Sequence, residues 1–440
     1  MKKLLVTLLV CAYPIFSFAQ IKNKSTLDQF FNTLETENKA MGSISIAKNG
    51  KEIYQKNFGF SDLKNKVKHN ELTKFRIGSI TKTFTATIIL QQIDEGKTTL
   101  KTLLKEYFPL LPNADKITIE DLLRHQSGLT NITQDKSIRS WITKPQTRNQ
   151  MMNRFIKNGT IFEPKAKTSY SNTNYAILSY IAEEIDKKTF DQILKDRIII
   201  PLNLSRTEFG KTIQPNKNQA NSYYFENNQW NLINFQTHMS APMGAGAITS
   251  TSSNITTFYT SLFTGKLISE KSLKEMMIIK KGFGLGITKF KFKGLDIYGH
   301  DGGIDGFQSF ALYIPKKKTA ISFTFNGFTM LMMPTVIAVL EAYFENDKSL
   351  KSTASIKLKS EDLNKYLGIY SGKSFPAKVT FTKKGNTLFA QATGQPIFKL
   401  LATKKDYFIY DAMGIQFDFN LKNKSLELTF AGNKHLLTKE

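Results

Sequence analysis

Residues 75–84 read Phe75-Arg76-Ile77-Gly78-Ser79-Ile80-Thr81-Lys82-Thr83-Phe84, and apolar residues then recur at helical intervals as far as Ile93. This pattern predicts that Gly78 and Ser79 open a helix. Positions three apart share a helix face, which brings the Lys82 amine within reach of the Ser79 hydroxyl. An uncharged lysine can take the serine proton and create a nucleophile. Lowering the pKa of Lys82 from ~10.4 towards ~7 costs on the order of 4–5 kcal/mol, which burial near other cations could supply.

The Ser-x-x-Lys spacing alone is weak support for this chemistry, because a lysine-rich chain also produces it from a helix-capping serine and a solvated lysine. A second segment, Tyr170-Ser171-Asn172, stands just before a helical pattern that begins at Asn174. In an extended turn its phenol and amide point the same way, so they could relay a proton and hold a substrate amide. A surface turn with a helix cap is the alternative interpretation.

A third segment, Tyr298-Gly299-His300-Asp301-Gly302-Gly303, lies between two strand patterns. Glycines at a strand edge let a ligand approach the backbone closely. The His300 side chain could donate to a substrate or tune a proton relay. The alternative is a strand-end histidine in a turn.

The periodicity predicts an α+β fold in which helices flank an antiparallel sheet built from both ends of the domain, with a mostly helical middle. The predicted elements are a helix over 25–39 capped by Ser25 with Asp28, a hairpin over 43–58 around Asn49-Gly50, helices over 83–93, 119–124, 174–185 and 190–199, strands over 295–298, 307–314 and 320–325, and a closing helix over 331–344. Short alternating segments from Tyr366 to Leu437, separated by turn residues, predict a small C-terminal antiparallel barrel or sandwich.

Residues 1–19 have the order of a secretory signal peptide, with Met1-Lys2-Lys3, an apolar run and cleavage after Ala19. A retained membrane anchor is the alternative, but the apolar run is shorter than the ~20 residues that a spanning helix needs. Bulky Val10 argues against lipidation of Cys11, the chain's single cysteine. The predicted divisions are the signal peptide at 1–19, a hydrolase domain over 20–346, a polar linker over 347–360 and a β domain over 361–440. Export to the periplasm or outside the cell is the expected location.

The chain carries 61 Lys and Arg against 36 Asp and Glu, a formal charge of +25. These charges are scattered, without the Arg-rich stripe or stacked aromatics of nucleic-acid binding. A lysine surface facing an anionic cell envelope is the expected contact. The histidines lack ligand-like spacing with carboxylates and no glycine-rich phosphate loop follows a strand, so neither a metal nor another cofactor is expected.

Taken together, the three segments resemble the serine penicillin-recognising superfamily, in particular the class C β-lactamase-like branch with its D-aminopeptidases, D-Ala-D-Ala carboxypeptidases and esterases. Three further stretches, Leu122–Leu129, Ile200–Leu202 and Gly244–Thr251, resemble the family's segments in the expected order. Matches run from Ser43 to about Phe344. From Leu363 onward the chain more loosely resembles the lipocalin-like barrel of some relatives.

The resemblance implies that Ser79 is the acylated nucleophile and that Lys82 and Tyr170 transfer its proton. It implies an oxyanion hole from the backbone N–H groups of Ser79 and Gly303. It also implies that Asn172 binds the substrate amide or orients Lys82, and that His300 and Gly302 contact the substrate.

The chain departs from the family pattern at three places. His300-Asp301-Gly302 replaces Lys-Thr-Gly, so the groups that grip a β-lactam carboxylate are absent. Lys165 and Asn203 stand where glycines often occur.

The leading hypothesis is therefore an exported serine hydrolase that forms an acyl-enzyme with an ester or a small peptide or amide. A β-lactamase, a D-Ala-D-Ala carboxypeptidase, and a non-catalytic sensor or envelope-binding protein are the alternatives.

Overall fold

The computed structural model describes residues 23–345, 356–393, 397–410, 415–430 and 433–440. The predicted signal peptide and most of the predicted linker lie outside these residues. The helices are α1 (Lys24–Thr36), α2 (Thr81–Asp94), α3 (Ile119–Leu123), α4 (Arg148–Asn158), α5 (Asn172–Asp186), α6 (Phe190–Leu194), α7 (Ser252–Phe263), α8 (Glu270–Met277) and α9 (Met332–Phe344). The strands up to the end of α9 are β1 (Ala40–Lys48), β2 (Lys51–Phe58), β3 (Phe60–Asp62), β4 (Val67–Lys68), β5 (Phe75–Arg76), β6 (Glu208–Phe209), β7 (Tyr223–Glu226), β8 (Gln229–Leu232), β9 (Ile248–Ser250), β10 (Thr288–Phe292), β11 (Leu295–Ile304), β12 (Phe307–Ile314) and β13 (Thr319–Phe328).

The main sheet has the antiparallel order β10-β11-β12-β13-β1-β2. Strand β1 lies between β2 and β13, with Ala40 opposite Phe328. The prediction that one sheet uses strands from both ends of the domain is confirmed. The predicted hairpin turn also forms, because Asn49 and Gly50 adopt the positive φ values of 52° and 80° that a two-residue connection requires.

Helices cover both faces of this sheet. Helices α1 and α9 bury their apolar sides against one face, where Phe31 and Leu340 join sheet residues such as Phe323 in one cluster. Helix α7 lies on the other face, and Ser252 and Thr324 share a 2.8 Å hydrogen bond there. Every residue of β1 from Ala40 to Ala47 is buried as a result. The buried Ser45 hydroxyl of β1 is satisfied inside the protein, by Glu52 Oε2 at 2.6 Å and Thr256 Oγ1 at 2.9 Å.

Helix α2 runs through the interior and is buried on nearly every side. Its threonines satisfy their hydroxyls inside the protein, since Thr83 donates to the Gly286 carbonyl at 2.9 Å and Thr85 to the Gly244 carbonyl at 2.7 Å. A helix surrounded in this way holds its side chains in one arrangement. The residues at its N-terminal end are therefore well placed to form a rigid site.

Several local predictions need correction. Helix α1 begins at Lys24 with Asn23 before it, so the predicted Ser25 cap is wrong. The predicted helix over 190–199 stops being α-helical at Leu194 and continues as a π-helical turn. The periodicity also missed α4, although Thr147 and Gln150 form a capping box at its start.

The two positions where glycines were expected by resemblance have left-handed backbones. Lys165 has φ 69° and Asn203 has φ 52°. Glycine adopts these angles without strain, and asparagine tolerates them better than lysine does. Both loops therefore keep the left-handed conformation that suits glycine, although lysine and asparagine occupy these positions.

The C-terminal part is a nearly closed antiparallel barrel, as predicted. Its strands are β14 (Gly368–Gly372), β15 (Phe375–Lys384), β16 (Thr387–Ala392), β17 (Phe398–Lys399), β18 (Leu401–Lys404), β19 (Tyr407–Tyr410), β20 (Ile415–Asn420), β21 (Ser425–Phe430) and β22 (Asn433–Lys439), in the spatial order β17-β16-β15-β14-β22-β21-β20-β19-β18. Aromatic side chains including Tyr366, Phe381 and Phe419 fill its interior.

Candidate active site

A 3₁₀ turn over Gly78–Ile80 presents Ser79 at the start of α2. The turn depends on Gly78, which has φ 48°, and a Cβ placed there would lie 2.7 Å from the Gly303 backbone nitrogen. A side chain at this position is excluded by both the conformation and the contact. The backbone before the nucleophile therefore packs directly against β11.

The Lys82 amine lies at the centre of the site and is fully buried. Its Nζ is 2.9 Å from Ser79 Oγ, 2.7 Å from Asn172 Oδ1 and 2.7 Å from the Ala245 carbonyl oxygen. Burial lowers the pKa of Lys82 well below its ordinary value, although the charge of Asp301 acts in the opposite direction. The expected proximity of Ser79 and Lys82 is therefore present, with desolvation as the main cause of the lowered pKa.

The contacts of Lys82 match the valence of a neutral amine. Two N–H groups can donate to Asn172 Oδ1 and to the Ala245 carbonyl, which only accept. The remaining lone pair then faces Ser79 and can accept the hydroxyl proton. A neutral Lys82 thus has the hydrogen bonds that a general base for Ser79 requires.

The Tyr170 hydroxyl is the second group in contact with the nucleophile and donates to Ser79 Oγ at 2.7 Å. Burial raises the pKa of Tyr170, so the phenol keeps its proton at neutral pH. The centre of its ring lies 4.8 Å from Lys82 Nζ and 4.5 Å from the centre of the His125 ring. Tyr170 is thus held as a proton donor directed at Ser79.

Asn172 begins α5, and its side chain connects Asn131 to the Lys82 amine. Its Nδ2 donates to Asn131 Oδ1 at 3.2 Å, which directs Oδ1 towards Lys82. The Asn131 oxygen also accepts from the Asn172 backbone N–H at 3.1 Å. Of the two contacts expected for Asn172, the structure shows the one with Lys82.

His300, Gly302 and Gly303 lie on the part of β11 that β10 leaves unpaired, since β10 pairs only as far as Gly299. A Cβ on Gly302 would lie 2.1 Å from the Ile77 carbonyl oxygen, so this glycine admits the protein's own backbone. A Cβ on Gly303 would make only an ordinary van der Waals contact, with Gln308 Oε1 at 3.5 Å. The segment therefore lies directly beside the turn that carries the nucleophile.

The buried His300 ring is 6.2 Å from the Tyr170 ring, centre to centre. Its Nδ1 is 2.6 Å from the Asp301 carbonyl oxygen, which can only accept, so the proton lies on Nδ1. Burial lowers the pKa of His300, opposed by the Asp301 carboxylate and reinforced by Lys82. The neutral ring therefore offers an acceptor at Nε2, and donation to a substrate would require the charged ring.

A cavity of about 240 Å³ opens onto Ser79, Asn172 and Gly303. Its walls also include the apolar residues Ile132, Ile138, Trp141, Ile142, Ala241 and Pro242. The sequence interpretation missed these residues, together with Asn131 and Ala245, because nothing in their own spacing signals a site. In the part of the chain that the structure describes, no cluster of three or more His, Cys, Asp or Glu side chains could hold a metal ion. Among the same residues, none of the helices has the length and apolar character needed to cross a membrane.

Comparisons with known proteins give the family and the fold of this chain. The family model described as Beta-lactamase matches residues 28–342. PbpX of Bacillus subtilis (strain 168) is 28% identical over 274 residues, which cover 61% of this chain and 66% of that protein. The chain thus spans about two thirds of the length of this relative.

Two solved structures share the fold. The D-stereospecific amidohydrolase from Streptomyces sp. is 26% identical with a TM-score of 0.61, covering 71% of this chain and 97% of that one. The octameric penicillin-binding protein homologue from Pyrococcus abyssi is 21% identical with a TM-score of 0.64, covering 94% of this chain and 99% of that one. The second match extends through the C-terminal barrel and supports the fold alone.

Proposed function

The chain belongs to the Beta-lactamase family, and from the contacts of Ser79 we propose that it is a serine hydrolase that acts through an acyl-enzyme. The observation that carries this proposal is the pair of contacts on one hydroxyl, with the Lys82 amine at 2.9 Å and the Tyr170 phenol at 2.7 Å. Lys82 can remove the proton from Ser79, and Tyr170 can deliver a proton to the leaving group.

In the acylation step, neutral Lys82 takes the Ser79 proton as Oγ bonds to the substrate carbonyl carbon. The carbonyl π electrons move to oxygen and form a tetrahedral oxyanion. Collapse of this intermediate breaks the bond to the leaving oxygen or nitrogen, which takes a proton from Tyr170, and the Lys82 ammonium then restores the Tyr170 proton. Water repeats the sequence at the acyl-enzyme and releases the acid.

Backbone N–H groups of Ser79 and Gly303 are proposed as the oxyanion hole. The close packing of Gly78 against Gly303 supports this assignment, because it places both backbones beside the nucleophile. Such donors contribute roughly 3–4 kcal/mol each when they face the developing charge. Gly302 then serves the site by letting β11 approach Ile77.

The substrate is proposed to be an ester or a small peptide or amide. The Streptomyces D-stereospecific amidohydrolase, at 26% identity, supports an amide. His300 and Asp301 replace the lysine and threonine that would grip a β-lactam carboxylate, which makes a β-lactamase or a D-Ala-D-Ala carboxypeptidase the second choice. The complete set of contacts around Ser79 argues against a sensor that never turns over.

The protein is also proposed to be exported, on the strength of the basic, apolar and small-residue order of residues 1–19. After cleavage near Ala19 it would act in the periplasm or outside the cell. Cleavage removes Lys2 and Lys3 and lowers the formal charge from +25 to +23, which would still draw the protein to an anionic envelope surface.

The test is a Ser79→Ala variant, with Ser140→Ala as a matched control at an exposed serine. Ser79→Ala should lose both labelling by an activated phosphonate and turnover of model esters, while the control keeps both. Labelling that persists in Ser79→Ala would contradict the proposal. An ester-derived adduct on Ser79 that lasts for hours would favour the sensor instead.

A further inference from the structure

The cavity beside Ser79 has one predominantly apolar wall. Ile138, Trp141 and Ile142 come from one segment, and Ala241 and Pro242 come from another. The His238 backbone N–H donates to the Ile142 carbonyl at 2.9 Å and holds the two segments together. The wall is thus a supported surface next to the nucleophile.

Asp305 is the only acidic or basic residue among those that line the cavity, all of which lie in the described range 23–345. Its carboxylate forms a buried ion pair with the Arg76 guanidinium. It also accepts from the Thr237 backbone N–H at 3.0 Å and from the Thr237 hydroxyl at 2.6 Å. The Asp305 charge is therefore satisfied within the protein.

The other charged side chains near the cavity are not part of its lining. Arg154 stacks on the Trp141 ring with its guanidinium carbon 4.2 Å from the ring centre, but it does not line the cavity. The Asp301 side chain is 72% exposed and is also not part of the lining. A charged substituent entering beside the apolar wall would lose water without gaining an opposite charge, which is costly.

We propose that this hydrolase selects substrates whose acyl group is apolar and uncharged, with a short chain or single ring packed against Ile138, Trp141 and Ile142. This inference rests on the proposed function and specifies the substrate class for the same site. An aliphatic or phenyl group gains free energy by leaving water for such a wall. An α-ammonium or a distal carboxylate on the acyl group reduces reactivity.

The test compares 4-nitrophenyl esters in two pairs that differ by one charge. The 3-phenylpropanoyl ester is paired with the phenylalanyl ester, and the butanoyl ester with the succinyl ester, each corrected for spontaneous hydrolysis. We expect kcat/KM to be at least tenfold higher for the neutral member of both pairs. A smaller ratio in either pair overturns the inference.

A charge placed in the wall should change this selectivity. In Ile138→Asp, the ratio of kcat/KM for phenylalanyl over 3-phenylpropanoyl ester should rise at least tenfold relative to the unaltered protein. Ile200→Asp makes the same change at a residue that is 60% exposed and does not line the cavity, and it should leave the ratio unchanged. A ratio in Ile138→Asp that rises less than tenfold overturns the placement of the acyl group.

The two proposals fail in different ways. If no ester of the series is turned over and Ser79 is not labelled, the hydrolase proposal fails. If turnover requires Ser79 but charged acyl groups react as well as neutral ones, only the substrate inference fails. The comparison of esters needs no variant, so it stands even if Ile138→Asp does not fold.

Discussion

Replacing Tyr170 by phenylalanine removes one oxygen from the site and keeps the ring. The lost hydroxyl is the group 2.7 Å from Ser79 Oγ, while the ring contacts with Lys82 and His125 can remain. A positioned acid of this kind contributes about 10²–10⁴-fold to rate, equivalent to about 2.7–5.5 kcal/mol in the barrier. The cost in unfolding free energy should be only about 0.5–1.5 kcal/mol, the usual net value of one hydrogen bond.

The loss should depend on the leaving group. An alkyl ester or an amide needs its leaving atom protonated, so its kcat/KM should fall by the full factor in Tyr170→Phe. A 4-nitrophenyl ester releases a stable anion, so its kcat/KM should fall at least tenfold less. Steady-state kinetics on one acyl group with both leaving groups measures the difference.

Tyr175→Phe is the matched control. Tyr175 is buried, and its ring centre lies 5.6 Å from Lys82 Nζ, but its hydroxyl donates to the Leu123 carbonyl at 2.7 Å and not to Ser79. It should lose about 1–3 kcal/mol of stability from an unsatisfied carbonyl while both esters keep their kcat/KM. Equal losses for the two leaving groups in Tyr170→Phe, or a loss under tenfold for the alkyl ester, would refute the assignment.

Three further outcomes follow from the same structure. Because burial lowers the folded-state pKa of Lys82, the unfolded chain binds one more proton between that value and ~10.4, and stability rises with pH there by about 1.4 kcal/mol per unit. Urea titrations of the wild type and of Lys82→Met measure this effect. The wild type should gain unfolding free energy relative to the variant between about pH 8 and about pH 9.5. A difference that stays constant over this range would contradict a neutral Lys82. Lys165→Gly should raise the unfolding free energy by about 0.5–1 kcal/mol, because glycine adopts the left-handed backbone conformation at this position without strain. Asn203→Gly should give a smaller gain. If chemical denaturation finds Lys165→Gly less stable than the wild type, backbone strain at Lys165 is contradicted. Asp305→Asn should lower the unfolding free energy by about 3–5 kcal/mol, because it leaves the buried Arg76 charge unpaired. The double change Arg76→Met with Asp305→Leu should recover more than half of that loss in thermal unfolding. A loss under about 1 kcal/mol in the single variant would argue against the ion pair.

Most of the correct predictions depended on residue types and on the order of the motifs along the chain. The Asn49-Gly50 turn was predictable because its two backbone conformations depend on the two residues themselves. Ser79, Lys82 and Tyr170 were assigned because three segments, in this order along the chain, resemble the serine penicillin-recognising superfamily, whereas the spacing within each segment alone left an ordinary structural alternative. The structure brings all three together as expected.

The site residues that the sequence did not predict come close to Lys82 and Asn172 only when the chain is folded. Ala245 contributes only a carbonyl oxygen, which every residue has, and it reaches Lys82 across 163 positions. Asn131 lies in a loop with no periodic pattern, and its partner Asn172 is 41 positions away. Such contacts result from how loops converge, so no local signal distinguishes them. The boundaries of the predicted domains stay a prediction, because most of the polar stretch between them lies outside the described residues.

The pairing of β1 with β13 sets a condition on biosynthesis. Strand β1 is complete at Lys48, but its partner ends at Phe328. At ribosomal speeds of about 5–20 residues per second, the first strand waits roughly a quarter of a minute to a minute for its neighbour. During that interval an apolar edge stays available to wrong partners. A chain that stops before β13, which begins at Thr319, therefore leaves this edge of β1 without its partner strand and open to aggregation.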